Sequence, residues 1–426
     1  DSNLDLFIAA FDSEPTGDPS KKFLLTAKNV YLTNSRFVLI DNNLKIPKSV
    51  DFTRIDATMN RLKVHGPDVT MFINRMGFRD FRGLFVSDFT SDFTYTKTNI
   101  LLNKLKFFTE DSNFDGDVAL RYIRTDFADF NNKVKFDIEI NQASIATNDI
   151  AYFYKELGAD RKFDIKADIK GTLNDFNVKN LQLKEGSVSE IIGDVNFRNL
   201  FGREGQNFYM KGSFDKVASD YNNLVDLLPN ILGNKLPSTL AKIGRFLVRG
   251  DAEISTSFIN ADVYMTTALG NVQSNLKMSN INNIDNASYS GNIILENVDL
   301  GKLLDRSDLG RVTLNVDVDG KGFTEQYLDT KFTGDIYSVS YNDYKYKNII
   351  VNGNYKKPIF TGEFFINDPN LFMDFDGSIN LGRKETMFDF HTKIDYANLT
   401  KLNFVKGDSI AIIKGDVDMN IVGNTI

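Results

Sequence analysis

Residues Met373–Leu381 read MDFDGSINL and decide the fold class. Phe375, Gly377 and Ile379 alternate there with polar residues at a period of two, the spacing of side chains on one face of a β-strand. The same alternation recurs in other stretches, for example at residues 312–318. The pattern predicts many strands, each with one apolar and one polar face.

The composition favours the same fold. The 426 residues include 36 Phe and 16 Tyr but only 8 Pro, and Asn and Asp are frequent enough to supply many tight turns. Helical patterns are few: Asn148–Leu157, Leu300–Asp305, and a helix pair at Tyr221–Leu232 and Ser238–Leu247. We therefore predict an all-β protein with a long, curved, mostly antiparallel sheet and a few short helices.

No linker or step in composition divides the chain firmly. The best candidate division is the helical hairpin at 221–247, which would separate an N-terminal sheet segment at 1–220 from its continuation at 248–426. We expect these segments to form one elongated domain. Because the chain starts at Asp1 with no signal-peptide pattern, we also expect it to be a piece of a longer protein.

Glycine recurs in mid-strand on the apolar parity, although a mid-strand glycine weakens a strand. Two explanations compete. Missing side chains let a sheet curl toward that face, or they let a ligand or a second sheet approach the backbone. The recurrence favours curling, and the glycines assigned to this curvature are Gly171, Gly212, Gly291, Gly334, Gly353, Gly362, Gly377 and Gly415.

The apolar face of such a sheet must be covered by helices, by a second sheet or by lipid. Helices are too few, and repeated sandwich domains would need linkers that the sequence does not show. We therefore predict an elongated, U-shaped groove with an apolar interior. Strand parity assigns its lining to Val312, Leu314, Val316, Val318, Phe332, Ile336, Val351, Tyr355, Phe360, Phe364, Met373, Phe375, Ile379, Leu381, Phe388, Phe390, Ile413, Val417, Met419 and Ile421.

The sequence contains few candidate residues for catalysis or metal binding. The formal charge of −7 argues against nucleic-acid binding, and the absence of Cys excludes thiolate catalysis and Cys-ligated metals. His391 shares a polar strand face, and His65 adjoins a turn. Residues 315–320 begin like a calcium loop, but position twelve is Gln326 and the strand period continues through them. We expect no enzyme activity, no cofactor, and no catalytic or metal-binding residue.

Two stretches resemble a known family. Tyr289–Gly322 (YSGNIILENVDLGKLLDRSDLGRVTLNVDVDGKG) resembles the repeat of the AsmA-like superfamily, in which a strand leads into a short helical turn and alternating strands return. Phe332–Leu381 is similar to the corresponding part of the TamB family.

The resemblance implies a bridge-like protein in the periplasm of a diderm bacterium, held by an inner-membrane anchor N-terminal to this segment. Its β-groove would carry phospholipids or other acyl-chain lipids between the inner and outer membranes and so contribute to outer-membrane assembly. An outer-membrane barrel of the Omp85 type is an implied partner, through a C-terminal region that this chain lacks.

Other functions stay open. A scaffolding envelope protein that assists outer-membrane protein assembly would press two sheets into a dry core. A β-solenoid adhesin would show a fixed repeat, whereas the glycine spacings are irregular. A glycan-cleaving enzyme needs two converging carboxylates, whereas Asp and Glu fall on the polar strand faces. The lipid conduit is the leading hypothesis.

Overall fold

Strands dominate the structure, a computed structural model. It describes residues 23–40, 48–152, 160–200, 207–223, 238–324, 326–380, 386–406 and 410–423. Strands make up 72% of these residues and helices 7%. The predicted all-β, antiparallel class is confirmed. The chain forms two compact units, Asp1–Phe208 and Tyr209–Ile426, so the first unit ends before the predicted helical hairpin.

The first unit is an antiparallel meander. Each strand pairs with its neighbour in sequence, except that β3 pairs with both β4 and β5. Short helices at Arg124–Asp129, Phe130–Lys133 and Thr147–Ala151 fill two connections. The described strands are β1 (Leu24–Ile40), β2 (Lys48–His65), β3 (Asp68–Asp80), β4 (Phe85–Val86), β5 (Asp88–Tyr95), β6 (Asn99–Phe108), β7 (Asn113–Arg121), β8 (Lys135–Ala146), β9 (Lys162–Thr172), β10 (Asp175–Glu185) and β11 (Ser189–Arg198).

The second unit repeats this arrangement, with every strand antiparallel to the next. Helical turns at Ser238–Ile243 and Leu300–Leu304 lie in its connections. The described strands are β12 (Tyr209–Ser219), β13 (Phe246–Ser255), β14 (Phe258–Thr267), β15 (Gly270–Ser279), β16 (Ser288–Asp299), β17 (Leu309–Lys321), β18 (Asp329–Tyr341), β19 (Tyr344–Lys356), β20 (Ile359–Asp368), β21 (Leu371–Asn380), β22 (Thr386–Asn398) and β23 (Ile412–Gly423).

Local sequence explains the hairpins. Between β18 and β19 the chain turns at Asn342 and Asp343, which have φ of 51° and 59°. Two consecutive residues with positive φ make a type I′ turn, whose twist matches that of antiparallel strands. Asn and Asp tolerate this region better than other non-glycine residues, so the turn fixes the register of the two strands.

The predicted helices agree only in part with the structure. The predicted helix at Leu300–Asp305 is present as Leu300–Leu304. The helix predicted at Ser238–Leu247 is wrong in its last residues, because Phe246 and Leu247 begin β13 and pair with Thr267 and Thr266 of β14. The helix predicted at Asn148–Leu157 is present in its first residues, as Thr147–Ala151. Its residues 153–157, and residues 224–237 of the predicted hairpin, lie outside the described residues.

Two of the glycines act in different ways. Gly377 has φ of +149°, and a Cβ placed there would lie 2.4 Å from the carbonyl oxygen of Asp389 on the adjacent strand. Its backbone therefore demands glycine. Gly353 has an ordinary φ, but a Cβ would lie 2.4 Å from the ring of Phe360, so this glycine makes room for an aromatic side chain. The proposed role of the glycines in curvature stays a prediction.

β-Bulges, which the sequence reasoning missed, keep the apolar parity on one face. Asn180 in β10 has φ of 53°, and the ladder skips there between Val178 and Leu181. Its backbone N–H donates to Asp194 on β11 at 2.9 Å, and Lys179 donates to the same carboxylate at 2.6 Å. These hydrogen bonds lower the pKa of Asp194. The signal was visible, because the apolar positions of β10 shift from even to odd numbers there.

Candidate functional site

One face of the second unit carries a continuous apolar row across all its described strands. We call this row the central row. Its members lie directly opposite one another from strand to strand, so their side chains share a face. They are Gly212, Ala252, Ala261, Leu276, Gly291, Val318, Phe332, Gly353, Gly362, Gly377, Phe390 and Met419.

Three further rows run beside the central row, and with it they define the apolar face. The row on one side of the central row comprises Met210, Ile254, Ile259, Met278, Tyr289, Gly320, Thr330, Tyr355, Phe360, Ile379, Phe388 and Ile421. The first row on the other side comprises Phe214, Gly250, Val263, Ser274, Ile293, Val316, Gly334, Val351, Phe364, Phe375, Thr392 and Val417. The second row on that side comprises Val217, Val248, Met265, Val272, Leu295, Leu314, Ile336, Ile349, Ile366, Met373, Ile394 and Gly415. None of these residues carries a charge.

The register brings the residues assigned to the groove lining together. All but three fall within the four rows. Val312 lies two residues before Leu314 on β17, opposite Val298 and Val339, and Ile413 lies opposite Ala397. Leu381 is outside the described residues. Strand parity thus groups the chosen side chains on one surface, while their role as a lining for lipid stays a proposal.

Much of the apolar face is only half-buried. The rings of Phe332, Phe360, Phe388 and Phe390 all keep part of their surface exposed, and Ile421 is 48% exposed. The inner faces of a two-sheet sandwich interdigitate into a dry core, which would bury such side chains almost fully. In the described part of the second unit, the centre of this face is therefore open to a ligand or to solvent.

One margin of the face is closed. The loop after β22 places Leu402, which is 1% exposed, against a buried cluster that includes Tyr346, Ile349, Ile366 and Leu371. This small dry core lies at the end of the strands where β22 turns toward β23. It covers the row that contains Ile349 and Ile366, and Phe364 of the adjacent row packs against it.

Phenylalanine rings concentrate over the glycines of the central row. Phe364 and Phe375 stack with ring centroids 4.4 Å apart and planes 8° apart, and Phe375 contacts Phe390 at 5.2 Å. Phe360 lies 6.0 Å from Phe332 and occupies the space above Gly353. The glycines have no side chains, so they seat these rings close to the backbone, and Phe375 is only 5% exposed.

The opposite face of the second unit, which we call the polar face, carries the charges. One of its rows comprises Ser213, Asp251, Asp262, Asn275, Asn292, Asp317, Thr333, Asn352, Glu363, Asp376, His391 and Asp418. Adjacent residues along each strand therefore face an apolar and a polar environment, as the alternation predicts.

The two histidines lie on different strands of the described sheet. His391 is an exposed side chain whose Nδ1 lies 2.7 Å from a carboxylate oxygen of Asp418, and this hydrogen bond raises the pKa of His391. The nearby carboxylates of Asp416 and Asp376 raise it further. His65 ends β2 at the turn into β3.

The stretch that begins like a calcium loop is part of strand β17. Asn292 on the neighbouring strand donates to Asn315 at 2.8 Å and to Asp317 at 2.9 Å, so these side chains satisfy one another across the ladder. No group of three or more metal-ligating side chains occurs among the residues that the structure describes.

The first unit has the same two-faced design. One row crosses ten of its strands without a polar residue: Leu25, Val64, Val69, Tyr95, Ile100, Leu120, Phe136, Gly171, Phe176 and Phe197. Gly171, predicted as a curvature residue, lies between Phe136 and Phe176, whose rings are 6.0 Å apart. The apolar row is therefore a property of each unit.

No described helix is long and apolar enough to cross a membrane. Comparison of the chain with models of protein families, with characterised proteins and with solved structures found no match.

Proposed function

We propose that this chain is a segment of a bridge-like lipid conduit, in which acyl chains of phospholipids lie on the apolar face and move from strand to strand along its rows. The observation that carries the proposal is the set of four uncharged rows that cross every described strand of the second unit while many of their side chains stay half-exposed. Large exposed apolar surfaces mark binding sites in soluble proteins.

The rows are long enough to hold lipid. Neighbouring strands are about 4.8 Å apart, so a row of twelve residues has a contour length of about 50 Å. Each methylene removed from water contributes about 0.8 kcal/mol, so a 16-carbon chain gains on the order of 10 kcal/mol. This energy solubilises an acyl chain without any specific contact, and because similar residues repeat along the rows, no single position holds the chain.

In this proposal the conduit works in the periplasm of a diderm bacterium, anchored in the inner membrane and delivering phospholipid toward the outer membrane. A groove-shaped sheet and a contact with an outer-membrane barrel belong to the same proposal. Their support is the resemblance of residues 289–381 to the AsmA-like and TamB families. The competing proposal is a scaffold with a dry core, and the buried cluster around Leu402 is the feature that favours it.

A matched pair of substitutions tests the conduit. Ser378 and Ile379 are consecutive residues of β21 that point to different faces. Ile379 lies opposite Phe388 on the apolar face, and Ser378 lies opposite Asp389 on the polar face. Ile379→Arg places a charge in the acyl-chain path, and such a charge is costly to bury, whereas Ser378→Arg adds the same charge to a solvated face. Phe375→Asp is a second variant on the apolar face.

The measurement is phospholipid bound to detergent-free protein, quantified by mass spectrometry, together with transfer of fluorescent phospholipid between vesicles. We expect Ile379→Arg to abolish transfer and Ser378→Arg to leave it unchanged, with both variants keeping the wild-type circular dichroism spectrum. Absence of bound phospholipid in the wild type, or equal transfer by both variants, would contradict the conduit. Unfolding by Phe375→Asp, with no lipid bound to the wild type, would favour the scaffold.

A further inference from the structure

The polar face of the second unit is interrupted by an apolar patch. Tyr337 and Ile350 expose 51% and 54% of their surface there, although most of their neighbours on this face are polar. Ile350 lies opposite Phe365 in the ladder, and Phe365 makes an edge-to-face contact with Phe372 at 5.3 Å. These side chains add nothing to the apolar face on the other side of the sheet.

Carboxylates surround this patch, and His391, which forms its hydrogen bond with Asp418, lies directly opposite Asp376. Glu363 and Asp376 lie directly opposite each other, a like-charge pairing that destabilises a sheet. Asp374 lies opposite Lys393, but Lys393 forms its ion pair with Asp395 at 3.7 Å. Among the described residues, Glu363, Asp374 and Asp376 form no ion pair within 4.0 Å. The sheet therefore carries an exposed apolar surface and unfavourable charge in one place.

The patch and the carboxylates line a shallow notch. Its walls include Ile350, Phe365, Glu363, Asp374 and Asp376, and its volume is about 270 Å³. This is below the size of ordinary small-molecule pockets, roughly 300–1,000 Å³, and it suits a single bulky side chain. An apolar floor with a charged rim is the arrangement of a small protein-binding surface.

We propose that this notch binds a segment of a protein partner in which one bulky apolar side chain is flanked by Lys or Arg. The apolar side chain packs on Ile350 and Phe365, while the basic residues pair with Glu363, Asp374 and Asp376. Charge complementarity selects this occupant. A second copy of the chain, with its net charge of −7, and an anionic membrane surface would both be repelled by the rim.

The probe is a labelled synthetic peptide with a central Phe between pairs of Arg, titrated into the full chain and followed by fluorescence anisotropy. We expect saturable, salt-sensitive binding. Glu363→Gln with Asp376→Asn should weaken it by roughly tenfold, because this variant removes two exposed carboxylates that pair with the Arg residues of the peptide. Ile350→Ser should weaken it as well, and because Ile350 is 54% exposed, this substitution removes little packing from the fold.

The control is Asp251→Asn with Asp262→Asn, a second pair of directly opposed carboxylates on the polar face, away from the notch. This pair should leave the affinity unchanged. Equal weakening by both pairs would overturn the proposal in favour of general attraction to an acidic face. So would equal affinity for a peptide whose Phe is replaced by Ser, no binding at all, or Ile350-dependent binding to phosphatidylglycerol vesicles.

Discussion

A methyl group added at Gly377 should destabilise β21 and β22, while the same change at Gly415 should not. At Gly377, φ is +149° and the new Cβ would lie 2.4 Å from both the carbonyl oxygen of Asp389 and the Cα of Phe390. Backbone strain of this kind costs about 1–3 kcal/mol, and forcing apart packed atoms adds about 1–3 kcal/mol. A Cβ at Gly415 would meet no atom within 4 Å.

Hydrogen–deuterium exchange with mass spectrometry measures this difference strand by strand, because amide exchange reports the free energy of local opening. The two costs add to about 2–6 kcal/mol in Gly377→Ala, which corresponds to exchange faster by roughly 30-fold to 20,000-fold in peptides from β21 and β22. Gly415→Ala should leave exchange in β23 unchanged or slow it, since replacing glycine stabilises by about 0.4–1 kcal/mol where the backbone permits. Equal effects of the two variants would refute the assignment of Gly377 as a residue required by its backbone.

Two further predictions concern the end of the second unit. The hydrogen bond to Asp418 raises the pKa of His391 above its ordinary 6.5. The protonated histidine therefore stabilises the pairing of β22 with β23, fully below pH 6.5, and this stabilisation is lost as the pH rises through the raised pKa. Exchange in β23, corrected for intrinsic rates, should therefore accelerate across that window; His391→Gln should remove the dependence, and its persistence there would exclude His391 as the cause. Leu402→Ala should lower the free energy of local unfolding around the buried cluster by about 2–5 kcal/mol, because Leu402 is 1% exposed, whereas Phe404→Ala at 56% exposure should cost under about 0.5 kcal/mol. Similar exchange in these two variants would show that the loop after β22 does not anchor the face.

The β-bulges were not predicted from the sequence. Alternation within β21 predicted a strand at Met373–Leu381, and the structure has Leu371–Asn380. Alternation does not say which residue lies opposite which, because register depends on turns and bulges. At Asn180 the ladder skips a residue, and Asp194 from another strand captures the freed N–H. That partner is brought close only by folding.

The notch illustrates a second limit. Ile349, Ile350 and Val351 are consecutive apolar residues, and such a run does not reveal which side chain points away from the apolar face. The structure buries Ile349 and Val351 and leaves Ile350 54% exposed. The helical pattern that ran to Leu247 failed for a related reason, because pairing of β13 with β14 outweighs weak local propensity.

The sequence by itself determined the all-β class and the separation of apolar from polar side chains, because both depend on a period of two that is local to each strand. The glycine positions on the apolar parity were visible in the same way. Only the tertiary structure decided that the apolar positions of successive strands line up into unbroken rows. It also showed that Gly377 and Gly353 differ in purpose and that carboxylates gather around Ile350. These features depend on contacts between strands, which hydrogen-bond register sets and local sequence does not encode.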